Sequence, residues 1–298
     1  MCGYWGVWAM LERLDAIPSF LTSPYPYVDR PRSNGIYGVT EIMYCLRKSY
    51  LGRKIPAPTA ISFEQRRLFA RGHALESAFF QNQNPIHFRG GMVGDRDFTK
   101  IEGHTDHSTI TDGKSCIVEF KTTRHMWLSH PNGRKFFNMS QARKALSKED
   151  LKLVELHPMQ SHLDQLMLYM MLNDAKRGVL IYHELSSDEN YVWQINDSDI
   201  TDEFKNMMKS RLDELDEAFK NNTVPKKCPG YEFECKLCHM KKNAICDLCE
   251  QDGFSLDEFV SDLEKKGDPN AFMEVVGEYI DKFGLDRDLI AVFDENGG

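Results

Sequence analysis

Three residues of this 298-residue chain invite chemistry: Asp106, Glu119 and Lys121. Asp106 ends the run Gly103-His104-Thr105-Asp106. Glu119 and Lys121 stand in Ile117-Val118-Glu119-Phe120-Lys121, beyond the turn sequence Thr111-Asp112-Gly113-Lys114. Asp-Gly is a strong hairpin signal, so Ile101–Ile110 and Ser115–Thr122 read as two paired strands. Side chains alternate along a strand. Glu119 and Lys121 therefore share a face, Val118 and Phe120 point the other way into the core, and Asp106 reaches the Glu119 face from the partner strand. Two carboxylates and an ammonium are costly to gather unless a divalent cation sits between the carboxylates. Hard oxygen donors suit Mg2+ or Mn2+. Such an ion would hold a phosphate oxygen and acidify an attacking water, while Lys121 would orient that water or offset transition-state charge. A surface strand with a cross-strand ion pair fits the same residues. Acid-x-Lys triplets also occur at Asp112/Lys114 and Glu203/Lys205, but only Glu119/Lys121 lies in an apolar strand that follows Gly-x-x-Asp across a tight turn.

Further residues fall into order around this hairpin. His73 stands mid-helix upstream, and Gln165 and Tyr169 are four apart downstream, on one helical face. The eight cysteines include five between positions 228 and 249: Cys228, Cys235, Cys238, Cys246 and Cys249. Thiols at that density suit a soft or borderline metal. Cys235, Cys238, Cys246 and Cys249 could form a tetrahedral Zn2+ site, leaving Cys45 as a buried apolar cysteine. Cys116, in the strand, reads as core.

The elements that must carry these groups follow from punctuation and period. Residues 1–35, rich in Pro, Tyr and Trp, read as an irregular arm. A short helix is expected over 38–53, with Thr40 as N-cap. A longer helix covers 62–81, opened by Ser62 and Gln65 as a capping box. Ile86–Val93 reads as a strand, and 124–152 as a basic loop or short helices. A helix begins at Pro158 and runs to about 173. Strands follow at Arg177–Glu184 and Asn190–Ile195, then an amphipathic helix over 198–220 and two or three small helices beyond 251. Hydrophobic residues make up 41% and charged residues 28%, which excludes disordered and fibrous classes. There is no apolar run of membrane length and no signal-peptide pattern, so the expected location is the cytoplasm, without a membrane partner.

The net charge of −8 conceals an uneven distribution. Residues 251–298 carry 13 acidic and 4 basic residues, so the remainder is nearly neutral. Basic stretches at 30–71 and 121–152 suit a cleft that follows phosphates, or else solvated loops. Arg124–Lys135, Phe136, Phe137 and Trp127 mix cations and rings and could form a lid on which bases stack, or an ordinary loop. The acidic end could dock a protein partner, mimic DNA or aid solubility.

The order His73, Asp106, Glu119-x-Lys121, Gln165-x-x-x-Tyr169 resembles the RecB-type nucleases of the PD-(D/E)XK superfamily. The likeness covers about residues 40–195, and with the cysteines extends to about 249. It implies an α/β, restriction-endonuclease-like core with a central mixed sheet flanked by helices, here 36–227. It implies His73, Asp106 and Glu119 as metal ligands, with the Phe120 carbonyl joining them. Lys121 would be the catalytic lysine, and Gln165 and Tyr169 the pair that contacts DNA and steadies it. Cys45 upstream and Cys-x-x-Cys…Cys downstream resemble the iron–sulfur exonucleases of CRISPR adaptation, their phage relatives and the AddB nuclease domain. That likeness implies a 4Fe–4S cluster on Cys45, Cys235, Cys238 and Cys246, with the Cys-rich segment 228–250 closing onto Cys45 and an acidic helical tail at 251–298. The gap between Cys238 and Cys246 is longer than is usual there, and Cys249 adds a second Cys-x-x-Cys, so zinc stays open. The implied function is a Mg2+- or Mn2+-dependent exonuclease on single-stranded or frayed DNA. Its alternatives are a structure-specific endonuclease and a non-catalytic DNA-binding assembly factor.

Overall fold

A computed structural model describes residues 35–55, 72, 74–76, 78–80, 85–123, 127–136, 139–185, 189–226, 238, 240, 244–267 and 271–287. Residues 1–34 of the expected arm at 1–35, most of the helix expected over 62–81, His73, Cys228, Cys235 and Phe137 lie outside the described residues. The chain divides into two compact units, Met1–Pro31 with Pro58–Gln81, and Arg32–Ala57 with Asn82–Gly298. In the first, the Phe80 amide donates to the Glu76 carbonyl at 3.0 Å, and the Phe79 and Phe80 rings meet edge to face.

The second unit opens with β1 (Tyr37–Gly38), α1 (Val39–Met43) and α2 (Leu46–Lys54). The single helix expected over 38–53 is thus broken at Tyr44-Cys45. Arg211 explains the break: its guanidinium donates to the carbonyls of Ile42 at 2.7 Å, of Met43 and of Tyr44, satisfying groups that a continuing helix would have used. Cys45 becomes the N-cap of α2.

Short strands follow: β2 (His87–Arg89), β3 (Met92–Val93), β4 (Arg96–Asp97), β5 (Ile101–His104) and β6 (His107–Thr111), then the long β7 (Lys114–Thr123). Asp112 and Gly113 both take positive φ, 52° and 72°, as the expected tight turn requires. The strand expected over Ile101–Ile110 is in fact two. β5 pairs with β1 and β2, whereas β6 pairs with β7. Thr105 fixes the break by exchanging two hydrogen bonds with Ile86, one through its amide and one through its hydroxyl, both 3.1 Å. Ile86–Val93 is likewise split, at Gly90, whose added Cβ would lie 2.3 Å from the Phe98 carbonyl oxygen.

The basic stretch 124–152 forms β8 (Trp127–Ser129), β9 (Lys135–Phe136), α3 (Met139–Ala145) and α4 (Lys148–Leu151). Phe136 is buried in the core, so its ring is not offered to a base as the lid reading required. After β10 (Glu155–His157) comes α5 (Gln160–Leu172), N-capped by Met159 rather than opened by Pro158. Then come β11 (Arg177–Glu184), β12 (Glu189–Asn196) and α6 (Asp202–Asn221), which Thr201 caps through the Phe204 amide.

The main sheet runs β12-β11-β7-β6 and is mixed: β7 and β11 are parallel, and the flanking pairs are antiparallel. Parallel pairing demands a crossover, and α5 lies on it. α5 sits close on β11 because Gly178 has no side chain; a Cβ there would come within 2.3 Å of the Met170 sulfur and 2.9 Å of Leu166 Cγ. Leu166, Leu168 and Met170 are sealed by this packing, each worth about 1.5–3 kcal/mol.

Core residues Cys116 to Phe120 of β7 are all buried, so this central strand is covered on both faces. Val118 and Phe120 are buried, as expected, but the Glu119 face is covered as well. Ile117 and Leu180, on the Glu119 side, belong to the principal core cluster with α5, whereas Val118 and Phe120 are buried on the opposite side. Cys116 is buried, as expected.

Towards the C-terminus lie α7 (Ile245–Leu248), α8 (Leu256–Lys266) and α9 (Phe272–Lys282). Phe254, Phe259, Tyr279 and Phe283 form a ring cluster with centroid separations of 5.1–6.4 Å. Phe259 and Tyr279 join the core cluster that also holds Cys246 and Leu248. Among the described residues no helix is long and apolar enough to cross a membrane.

Candidate active site

Asp106 stands one step beyond the β6–β7 ladder, where the register places it opposite Glu119. It is not in a strand, so its side chain is free to turn inward. Its Oδ2 accepts a hydrogen bond from the Phe120 amide at 2.8 Å. Glu119 is 1% exposed, and its Oε1 accepts a hydrogen bond from Lys121 Nζ. The sequence-derived trio therefore converges at one end of β7.

Lys121 is held in its charged form. Burial opposes the charge, but the Glu119 and Asp106 carboxylates outweigh it and push the lysine pKa above its ordinary value. The ammonium is a fixed cation and hydrogen-bond donor at neutral pH.

α5 supplies the roof. Gln165 and Tyr169 are joined to each other, Gln165 Nε2 donating to the Tyr169 hydroxyl at 3.0 Å. Both are buried, at 5% and 6% exposure. Burial, then the Glu119 charge, pushes the Tyr169 phenol well above its usual range, so it stays neutral. The opposing influences of Gln165 and Lys121 are smaller. Among the described residues Gln165 Oε1 has no hydrogen-bond partner, and it is shut from solvent.

Two residues at this site escape the sequence reading: His162 and Tyr182. Tyr182 on β11 pairs in register with Lys121 on β7. Its hydroxyl accepts from the Met159 amide at 3.1 Å and bonds His162 Nδ1 at 2.8 Å. Burial, reinforced by the Lys121 charge, lowers the His162 pKa to about 3, so the imidazole is neutral. The available signal was spacing: His162, Gln165 and Tyr169 are i, i+3 and i+7 on one helical stripe.

Among the described residues, no three or more His, Cys, Asp or Glu side chains stand together as a set able to hold a metal ion. Asp106 and Glu119 supply two hard oxygen-donor groups against one ammonium, a donor chemistry that fits a hard divalent cation. The third expected ligand, His73, lies outside the described residues.

Four cysteines of the candidate cluster are described, and no three of them stand together as a set able to hold a metal ion. Cys238 and Cys246 are buried, while Cys45 and Cys249 are partly exposed. The Cys246 thiol is pushed up to about 12 by burial and by neighbouring Cys238, with Arg47 opposing and Cys45 and Cys249 adding. Burial likewise raises Cys249 to about 11, opposed by Arg47. Arg47 is buried and donates to the carbonyls of Pro225 and Cys246 and to Glu250 Oε1 at 2.9, 3.3 and 3.0 Å. The start of α2 and the C-terminal cysteines are thus tied together, and soft thiol donors from both ends fit a thiophilic metal in kind. Cys235 lies outside the described residues.

No protein-family model matches this chain, and no curated protein matches it. Among solved structures, the crystal structure of SSO0001 is similar with a TM-score of 0.43 and 20% identity, covering 80% of this chain and 94% of that one. An alkaline exonuclease, LHK-Exo from Laribacter hongkongensis, is similar with a TM-score of 0.33 and 12% identity, covering 63% and 93%. The same exonuclease in complex with dAMP gives a TM-score of 0.30 at 13% identity, with the same coverage.

Proposed function

We propose that this protein is a Mg2+- or Mn2+-dependent deoxyribonuclease, acting as an exonuclease on single-stranded or frayed DNA ends. The observation that carries the reading is the convergence of Asp106, Glu119 and Lys121 at the end of β7, under the Gln165–Tyr169 pair. Two carboxylates beside a permanently charged lysine are the equipment of hydrolysis at a phosphodiester.

Asp106, Glu119 and the Phe120 carbonyl would hold the cation, which when bound would polarise the phosphate and lower the pKa of water. The chain's own residues do the rest. The Phe120 amide keeps the Asp106 carboxylate turned inward. Lys121 carries fixed positive charge to where negative charge builds on the phosphate oxygens. Gln165 and Tyr169, neutral and locked together, close the site from the helix side.

The cysteine centre would hold a 4Fe–4S cluster on Cys45, Cys235, Cys238 and Cys246. Arg47, next but one to Cys45, donates to the Cys246 carbonyl, which brings the start of α2 to the C-terminal cysteines and favours a ligand set that includes Cys45. Its role would be structural, joining distant segments of the chain.

The test is digestion of end-labelled oligonucleotides with and without Mg2+. Stepwise shortening by the native protein and none by Lys121→Met with an intact fold supports the reading; undiminished digestion by that variant overturns the assigned site. Circular single-stranded DNA separates the modes, since an exonuclease leaves it whole.

A further inference from the structure

Gln165 and Tyr169 are sealed, so an incoming DNA strand cannot meet them first. Among the described residues, the polar groups left partly open on this side of the sheet include Asp106, Lys121, 25% exposed in its side chain, and His162 in the first turn of α5. We infer that His162 is a substrate-binding residue of this site, donating a hydrogen bond from Nε2 to a phosphate oxygen of the bound strand. The inference rests on the nuclease reading above and deepens it.

Hydrogen bookkeeping gives the ring's tautomer. The Met159 amide donates to the Tyr182 oxygen, so that oxygen is an acceptor there. The hydroxyl proton needs an acceptor of its own, and His162 Nδ1 lies 2.8 Å away. Nδ1 therefore accepts, and in a neutral imidazole the proton sits on Nε2. Among the described residues nothing takes up that Nε2–H. Tyr182 thus does for His162 what a supporting hydrogen bond does for any working imidazole: it fixes both ring orientation and tautomer.

Position agrees with this role. Tyr182 is in register with Lys121, and His162 is close enough to feel the Lys121 charge. A neutral N–H donor beside a fixed ammonium offers an anionic phosphate two donors of different kinds without stacking two cations. The stripe His162, Gln165, Tyr169 then grades from open to sealed along α5, with the binding contact at its accessible end.

The experiment compares native protein with His162→Gln, His162→Leu and Tyr182→Phe in steady-state digestion of end-labelled single-stranded DNA, with thermal melts alongside. Gln keeps an N–H donor near the Nε2 position. His162→Leu is expected to raise KM about tenfold, the size of one charge-assisted hydrogen bond, with kcat within about twofold. His162→Gln should recover most of that loss, and Tyr182→Phe should fall between. An unchanged KM in His162→Leu overturns the inference while leaving the nuclease reading intact. Equal losses in kcat and melting temperature for Gln and Leu also overturn it, by showing a packing role. Should His162→Leu fail to fold, the Gln and Tyr182→Phe variants decide alone: Tyr182→Phe with native KM overturns the inference. Absence of digestion by the native protein overturns the nuclease reading and this inference with it.

Discussion

The Phe120 amide donates to Asp106 Oδ2 at 2.8 Å, so a carboxylate just off the end of one strand is anchored to the backbone of its neighbour. The contact separates the two jobs of Asp106. One is to satisfy an amide at the sheet end, which any acceptor can do. The other is to present negative charge beside Glu119, which only a carboxylate can do.

Asp106→Asn should therefore keep the fold, because its amide oxygen can still accept from Phe120. Activity should drop about a hundredfold or more if the charge binds metal. Asp106→Ala should lose activity and also about 1–2 kcal/mol of stability, from the amide left unpaired. Denaturant melts and end-labelled digestion of both variants check this. Equal destabilisation by Asn and Ala would refute the separation.

Lys121→Met leaves the buried Glu119 carboxylate without its cation, and should cost about 3 kcal/mol at neutral pH. The pH dependence has a definite sign. The lysine pKa is raised on folding, so its stabilisation is fully present below the ordinary value of 10.5 and is lost only as pH rises through the higher folded value. The stability gap between native and variant protein should be flat from about pH 7 to 9, by urea denaturation. A gap that closes within that window would contradict the assigned ion pair.

Gly178→Ala tests how the roof is set. Its φ is not positive, so strain comes from space alone: the new methyl would collide with Met170 and Leu166. A loss of about 1–3 kcal/mol is expected, with reduced activity as α5 carries Gln165 and Tyr169 away from β7. A fully stable, fully active variant would show that the helix is not held by this contact.

The cysteine centre is decided by two single substitutions. Under the iron–sulfur assignment, Cys45→Ser loses the bound metal and Cys249→Ser retains it; under zinc the pattern reverses. Metal analysis and visible absorption after anaerobic purification read the result directly.

The sequence by itself determined the local parts: the Asp112-Gly113 turn, the β7 alternation that puts Glu119 and Lys121 on one face, and the helical spacing of Gln165 and Tyr169. These are properties of neighbouring φ and ψ angles and of the period of one element, so no distant partner is needed to read them. The break at Thr105 was hidden because its cause, Ile86, lies nineteen residues upstream, just before β2; the break at Tyr44-Cys45 was hidden because Arg211 imposes it from α6. That the Glu119 face of β7 is covered as well was not legible, since a central strand's own pattern cannot say what lies on each side. Tertiary structure alone decided that α5 lies on the Glu119 face, through the close approach at Gly178, and that Tyr182 comes into register with Lys121. From that pairing follows the fixed orientation of His162, a residue ordinary in sequence until a hydroxyl from another strand holds its ring.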